Sequence, residues 1–89
     1  MTTIKYSGER IKTLAMAYAV DDRPNYGAIA EMAAAVTSVP IKPSRTSIKA
    51  YADGENIPGG VMLYILAKVL RCRMEDFFVE EETDVTGKD

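Results

Sequence analysis

The sequence predicts a compact all-α domain of five short helices, on the basis of two observations. Apolar residues recur three and four positions apart along most of the chain, which is the spacing of one face of a helix. No stretch alternates apolar and polar residues for long enough to predict a β-strand. With 89 residues, 47% of them hydrophobic, the chain can form one packed core but has no room for a second.

The first two predicted helices cover residues 7–20 and a segment that begins after Asn25. Ser7 and Asn25 are residue types that cap helix N-termini, and Pro24 prevents the first helix from continuing. The apolar stripes that define the two helices are Ile11, Leu14, Ala15, Tyr18 and Ala19 in the first, and Ile29, Ala30, Ala33 and Val36 in the second.

The third predicted helix, Arg45 to Asp53, follows a loop at residues 37–43 that two prolines make extended and stiff. Ser44 stands at the N-cap position, and Gly54 stands where a left-handed C-cap glycine belongs. The residues of this helix that we expect to face inward are Ile48, Tyr51 and Ala52.

The rest of the chain predicts two more helices and a tail. Residues 60–71 are apolar nearly all round, which is typical of a central core helix or of a dimer surface. A short fifth helix at 74–78 would lay its aromatic residues over the core. Residues 80–89 are acidic and lack large apolar side chains, so we expect a disordered tail after a domain at 1–79.

Composition excludes several classes of function. The chain contains no histidine and a single cysteine, Cys72, so a zinc site would have to rest on one cysteine and carboxylates, and a histidine-activated nucleophile is excluded. It has no glycine-rich phosphate loop and no run of apolar residues long enough to span a membrane. We therefore predict a cytoplasmic protein that is not an enzyme and that binds no metal, cofactor or membrane.

The net charge of −2 hides an uneven distribution. Residues 1–74 carry ten basic and six acidic side chains, a balance of +4, whereas seven of the thirteen acidic residues follow Met74. A mildly basic body with an acidic tail permits binding to nucleic acid without establishing it.

The segment from Ser44 onward reads SRTSIKAYADG, ENI, Pro58, GGVMLYILAKVL and RCRMEDFF without a gap. It resembles the Cro/C1-type (Xre) helix-turn-helix family, whose pattern there is roughly S-R-S-T-I-S-R-I-E-N-G, three loop residues, proline, L-x-x-L-x-x-I-A-K-A-L and G-V-S-x-x-E-L-F. The resemblance spans residues 8–78 and is weaker in the first two helices. It implies a lambda-repressor-like five-helix domain that binds double-stranded DNA.

The chain departs from the family in its connections. The connections between the first and second helices and between the second and third helices are longer than those of the family. At the start of the second helix, where the family often has a Thr-Gln pair against a phosphate, this chain has Asn25 and Tyr26. These departures concern how the helices dock on DNA more than they concern the fold.

The resemblance makes the third helix the one that enters the major groove by its N-terminal end. Arg45 is the first choice for reading a guanine, because its planar fork can pair with both acceptors of that base; the alternative is an ordinary solvated arginine. Thr46 either contacts a thymine methyl or a phosphate, or faces water. Lys49 is expected on the phosphate backbone, and Ser44 caps the helix whether or not it also touches a phosphate.

Two further candidates flank this helix. Lys42 in the long loop could neutralise a phosphate, and Asn56, after the helix, either approaches the DNA backbone or serves only the turn. Ala50 occupies a position where family members often carry a long base-reading side chain, so the expected sequence specificity is modest.

The predicted function is a DNA-binding transcriptional regulator, with repression the expected effect, that acts as a homodimer. The expected dimer surface is the fourth helix together with Phe77, Phe78 and Val79. The alternative is a protein-interaction module of the same fold, such as an antirepressor or an antitoxin, with weak or no DNA binding. The long loops, Ala50 and the negative net charge favour this alternative, in which the acidic tail engages a protein partner.

Overall fold

The computed structural model of the chain describes residues 2–36 and 42–82. These residues form β1 (Thr2–Tyr6), α1 (Glu9–Ala17), α2 (Tyr26–Val36), α3 (Arg45–Asp53), α4 (Gly60–Leu70), a 3₁₀ helix (Met74–Phe77) and β2 (Phe78–Glu82). The prediction of an all-α, five-helix domain is therefore wrong. The first four of the five predicted helices are present, but the fold is mixed α/β because a two-stranded sheet pairs Thr2–Tyr6 with Phe78–Glu82.

The sheet is an antiparallel ribbon that pairs Tyr6 with Phe78 at one end and Thr2 with Glu82 at the other. The predicted fifth helix is only a single 3₁₀ turn, because the chain becomes extended at Phe78. Glu80, Glu81 and Glu82 lie in β2, so the expectation of disorder is wrong for this part of the tail. Residues 83–89 of the predicted tail lie outside the described residues.

The first helix is shorter than predicted, and the second begins directly after its predicted cap. α1 ends at Ala17, and the backbone then turns through Asp21 and Asp22, both with positive φ. Asn25 caps α2 as predicted, since its Oδ1 accepts a hydrogen bond from the backbone N–H of Ala28 at 3.0 Å.

The predicted bounds and both predicted caps of α3 are confirmed. Ser44 is extended and its Oγ accepts a hydrogen bond from the Ser47 N–H at 3.0 Å. Gly54 ends the helix with φ of 79°, a left-handed conformation that glycine adopts without steric penalty. The long connection before α3, predicted to be stiff, falls mostly on residues 37–41, which lie outside the described residues.

The core lies between the four helices and the 3₁₀ turn. Its fully buried large side chains come from every one of these elements: Ile11, Ile29, Ile48, Ile65, Leu66 and Phe77. Tyr6 and Phe78 attach the ribbon to this core, with their rings in an edge-to-face arrangement at 6.0 Å. None of the helices in the described parts of the chain has the length and apolar character needed to cross a membrane.

Candidate nucleic-acid interface

The N-terminal turn of α3 is an exposed, capped helix start. Ser44, Arg45 and Thr46 are all exposed, while Ile48 and Ala52 on the opposite face are fully or almost fully buried. The Ser44 hydroxyl also donates a hydrogen bond to Ser47 Oγ at 3.0 Å. The first backbone N–H groups of any α-helix have no partner within the helix. The amphipathic spacing that predicted this face therefore places these side chains as expected.

The N-terminus of α2 lies beside that of α3. A Cβ atom added to Gly27, in the first turn of α2, would lie 3.9 Å from Cδ of Arg45 and 3.4 Å from Oδ1 of Asn25. The arginine stem therefore passes next to the start of α2. Two helix N-termini, each with a partial positive charge, therefore lie next to the Arg45 side chain.

Arg45 has no carboxylate within ion-pair distance among residues 2–36 and 42–82. The first turns of α2 and α3 contain no acidic residue either. A cation at a helix N-terminus opposes the helix dipole, so its position here does not contribute to folding stability. An anion bound between the two helix starts would meet three favourable partners.

Lys49, one turn further along α3, is engaged by Asp53. Its Nζ lies 2.8 Å from Asp53 Oδ2, and Lys12 of α1 approaches the other oxygen of the same carboxylate at 3.6 Å. The hydrogen bond raises the pKa of Lys49 and lowers the pKa of Asp53. Asp53 thus compensates part of the positive charge that the sequence assigned to this surface.

Lys42 lies close to α2, with its Nζ 3.3 Å from Glu31 Oε2. Both side chains are highly exposed, so this pair contributes little to stability and a phosphate could replace the carboxylate. Lys42 is two residues before the Ser44 cap and is therefore near the start of α3.

Asn56 lies at the other end of α3, which is about 14 Å long for nine residues. Its backbone N–H donates to the Ala50 carbonyl at 3.4 Å, next to a 2.9 Å bond from the Glu55 N–H to the same oxygen. The main chain of Asn56 thus serves the turn that closes α3. The structure brings together Lys42, Ser44, Arg45 and Thr46, and it separates Asn56 from them.

Tyr26 is 6% exposed and belongs to the core, so its ring packs between helices and does not face a phosphate.

Tyr51, expected to face inward, is half-buried, and its carbonyl accepts a hydrogen bond from the Tyr6 hydroxyl at 2.7 Å. Burial raises the pKa of Tyr6 to about 12. β1 therefore holds the C-terminal half of α3 in place.

The predicted dimer surface needs correction at one residue. Phe77 is fully buried in the core, so it cannot contribute to an interface, and Phe78 is half-buried beside Tyr6. Exposed apolar side chains remain on α4 at Val61 and Tyr64 and on β2 at Val79.

The two acidic partners, Asp53 and Glu31, and the approach of Lys12 were not among the residues predicted from the sequence. The Lys49–Asp53 pair has a local signal, because residues four apart on a helix lie side by side. The Lys12–Asp53 and Lys42–Glu31 pairs join different elements and have no local signal.

Comparison of the chain with protein-family models, with curated proteins and with solved structures gives no match. The resemblance to the Cro/C1-type family therefore stays a prediction that depends on the motif residues quoted above.

Proposed function

We propose that the chain is a DNA-binding transcriptional regulator of the cytoplasm that acts as a homodimer and inserts α3 into the major groove. The observation that carries the proposal is the exposed, capped start of α3, where Arg45 lies beside the start of α2 without a carboxylate partner among the described residues. Repression, by occlusion of a promoter, is the expected effect.

The chemistry of this surface suits a phosphate backbone next to a base edge. Backbone N–H groups at helix starts bind phosphate oxygens, and a guanidinium group can donate two hydrogen bonds to the O6 and N7 atoms of guanine. Thr46 lies next to Arg45 on the exposed turn and is small enough to let the helix approach the bases. On binding, the ammonium group of Lys42 would leave the Glu31 carboxylate and contact a phosphate.

The same surface predicts limited affinity and limited specificity. Asp53 opposes the approach of phosphate to Lys49, and Ala50 offers only a methyl group. A single α3 contacts few base pairs, so two copies on a two-fold site are needed for a useful specificity.

The test is fluorescence anisotropy with a pool of random duplex DNA and with promoter fragments, at two salt concentrations. Arg45→Ala should weaken binding by roughly 10- to 100-fold, which corresponds to the loss of about 1–3 kcal/mol for a bidentate base contact. Arg10→Ala is the matched control, because Arg10 is an exposed arginine on α1, beside Leu14 and Leu70, and not at the start of α3. No salt-sensitive binding by the folded wild-type protein would refute the proposal.

Arg45→Glu separates binding from folding. A carboxylate at the first position of α3 interacts favourably with the helix dipole, so this variant should be as stable as the wild type or more stable by up to about 1 kcal/mol. It should nevertheless lose DNA binding. A variant that is destabilised and binds DNA weakly would indicate that Arg45 has a structural role instead.

A protein-interaction module is the second candidate. Two observations favour it. Ile57, Val61 and Tyr64 are exposed apolar side chains. Carboxylates already compensate the charges of Lys12, Lys42 and Lys49. Recovery of one stoichiometric protein partner that Tyr64→Glu abolishes, without retention of DNA, would support this candidate over the regulator.

A further inference from the structure

The outer part of the β1–β2 ribbon has no support from the core. Only Tyr6 and Phe78, at the inner end, pack against core residues. Ile4 is 62% exposed and Val79 is 46% exposed. A two-stranded ribbon is marginally stable in water unless further strands or a helix cover it. No further strand among residues 2–36 and 42–82 pairs with the ribbon, so both of its edges are unpaired within this part of the chain.

The two edges differ in charge. β2 carries three consecutive carboxylates, at Glu80, Glu81 and Glu82, and such charges prevent another strand from pairing along an edge. β1 has the sequence TTIKY, and its one charge, Lys5, is directed to Glu81 of the neighbouring strand at 3.2 Å. The β1 edge is therefore the one that another strand can approach.

We propose that this edge is the dimer interface: β1 pairs antiparallel with β1 of a second copy of the chain, with Ile4 opposite the partner's Ile4. The two ribbons then form one four-stranded sheet. This inference rests on the homodimer of the proposed function and assigns its interface to the sheet.

Charge and symmetry together favour this pairing over the two others that a second copy could make. With β1 against β1 about Ile4, Lys5 lies opposite Thr3 and no like charges face each other. With β2 against β2 about Glu80, the two Glu80 side chains face each other, and the six glutamates of the two strands are concentrated on adjacent strands, which is destabilising. Pairing of β1 with the partner's β2 is not two-fold symmetric, and it leaves a free β1 edge on one copy to which further copies can add.

The pairing also covers apolar surface. Ile4 lies on the same face of the ribbon as Tyr6 and Phe78, because β-strand side chains alternate and the register pairs Ile4 with Glu80 and Tyr6 with Phe78. Placing two Ile4 side chains directly opposite each other removes them from water next to the aromatic rings. The free N–H and C=O groups of both β1 edges become paired in the same step.

Disulfide cross-linking tests the register without DNA. Residues directly opposite each other in antiparallel strands have Cβ atoms about 5 Å apart, close enough for a disulfide after small adjustments. In a Cys72→Ser background, Ile4→Cys should form a covalent dimer under mild oxidation. Glu80→Cys is the matched control, since Glu80 is at the equivalent position of the other edge and should stay monomeric.

Sedimentation of the protein without engineered cysteines gives the second readout. The wild type should have twice the mass of one chain at micromolar concentration, Ile4→Val should retain the dimer, and Ile4→Arg should shift the dissociation constant upwards by at least tenfold while the helices stay folded.

A wild-type protein that is monomeric at every concentration would overturn the inference. So would a dimer that persists in Ile4→Arg, that Glu80→Cys cross-links, or that Tyr64→Glu on α4 abolishes. Failure of the dimeric protein to bind DNA in the anisotropy assay would refute the proposed regulator while leaving this interface intact.

Discussion

Replacement of Gly8 by alanine tests the contact that positions α3. A Cβ atom at this residue would lie 2.6 Å from the carbonyl oxygen of Ala52 and 2.7 Å from its Cα, and it would also contact the carbonyl oxygen of Tyr51. All three are backbone atoms, so no side chain can move aside. The backbone of Gly8 itself has φ of −96° and ψ of 13°, which alanine tolerates. The expected effect is therefore steric and not conformational.

The size of the effect follows from the displacement that is required. To reach an ordinary contact of 3.4 Å from 2.6 Å, α1 and the end of α3 must separate by at least about 0.8 Å, and the still closer carbonyl oxygen of Tyr51 requires a larger shift. Overpacking of this kind costs typically 1–3 kcal/mol, and backbone neighbours place Gly8→Ala at the upper end of that range. For a domain of this size, about 3 kcal/mol lowers the melting temperature by more than about 10 °C.

The assay compares the stability of Gly8→Ala with that of a control variant, Gly60→Ala, by thermal and urea unfolding. Gly60 is the first residue of α4, and an added Cβ there has nothing within 4 Å, so alanine should stabilise the helix by up to about 1 kcal/mol. Equal stability of the two variants would refute the claim that α1 and α3 touch through Gly8. At conditions where Gly8→Ala is fully folded, its weakened DNA binding would show that the displacement of α3 matters for the interface.

Three further predictions concern other contacts. Because burial raises the pKa of Tyr6 from 10.0 to about 12, the folded protein should lose stability as the pH rises from 10 to 12, and Tyr6→Phe should reduce that loss. An unchanged slope in alkaline unfolding curves would contradict this prediction. Asp53→Asn releases Lys49 and should strengthen DNA binding severalfold at low salt but little at high salt. Anisotropy titrations measure this effect, and equal affinities of the variant and the wild type at low salt would exclude it. Gly54→Ala should destabilise the protein by about 1 kcal/mol because its φ is 79°, and urea unfolding with no shift in midpoint would argue against the left-handed cap.

The helices could be predicted because their signals are local. Ser44 and Gly54 bracket α3, and a serine and a glycine at those spacings indicate caps whatever the rest of the chain does. Asn25 likewise indicates the start of α2. In each case one residue acts on backbone groups within four positions of itself.

The sheet could not be predicted in this way because its two strands lie at opposite ends of the chain. Thr2 pairs with Glu82, and neither five-residue strand alternates clearly enough to be recognised alone. The run of glutamates after Val79 has the composition of a disordered tail, and only its pairing with Lys5 and the threonines of β1 makes it a strand. Local patterns contain no information on such a partner.

The sequence predicted which residues of the candidate site are exposed, but it did not predict their ion pairs. The spacing of Ile48 and Ala52 fixes which side of α3 faces the core, and therefore which side carries Arg45 and Thr46. The partner of Lys42 depends on how α2 and α3 pack, and this is a property of the tertiary structure.

The antiparallel ribbon also determines where any attached segment would emerge. Thr2 and Glu82 are partners at the outer end of the ribbon, and the Thr2 hydroxyl contacts the Glu82 carboxylate at 3.0 Å. The distance between fluorophores placed at these two positions would therefore report directly on separation of the two strands. A fusion partner joined directly before Thr2 or directly after Glu82 would be carried at the outer end of the ribbon. Either attachment would compete with a second copy of the chain for space beside Ile4.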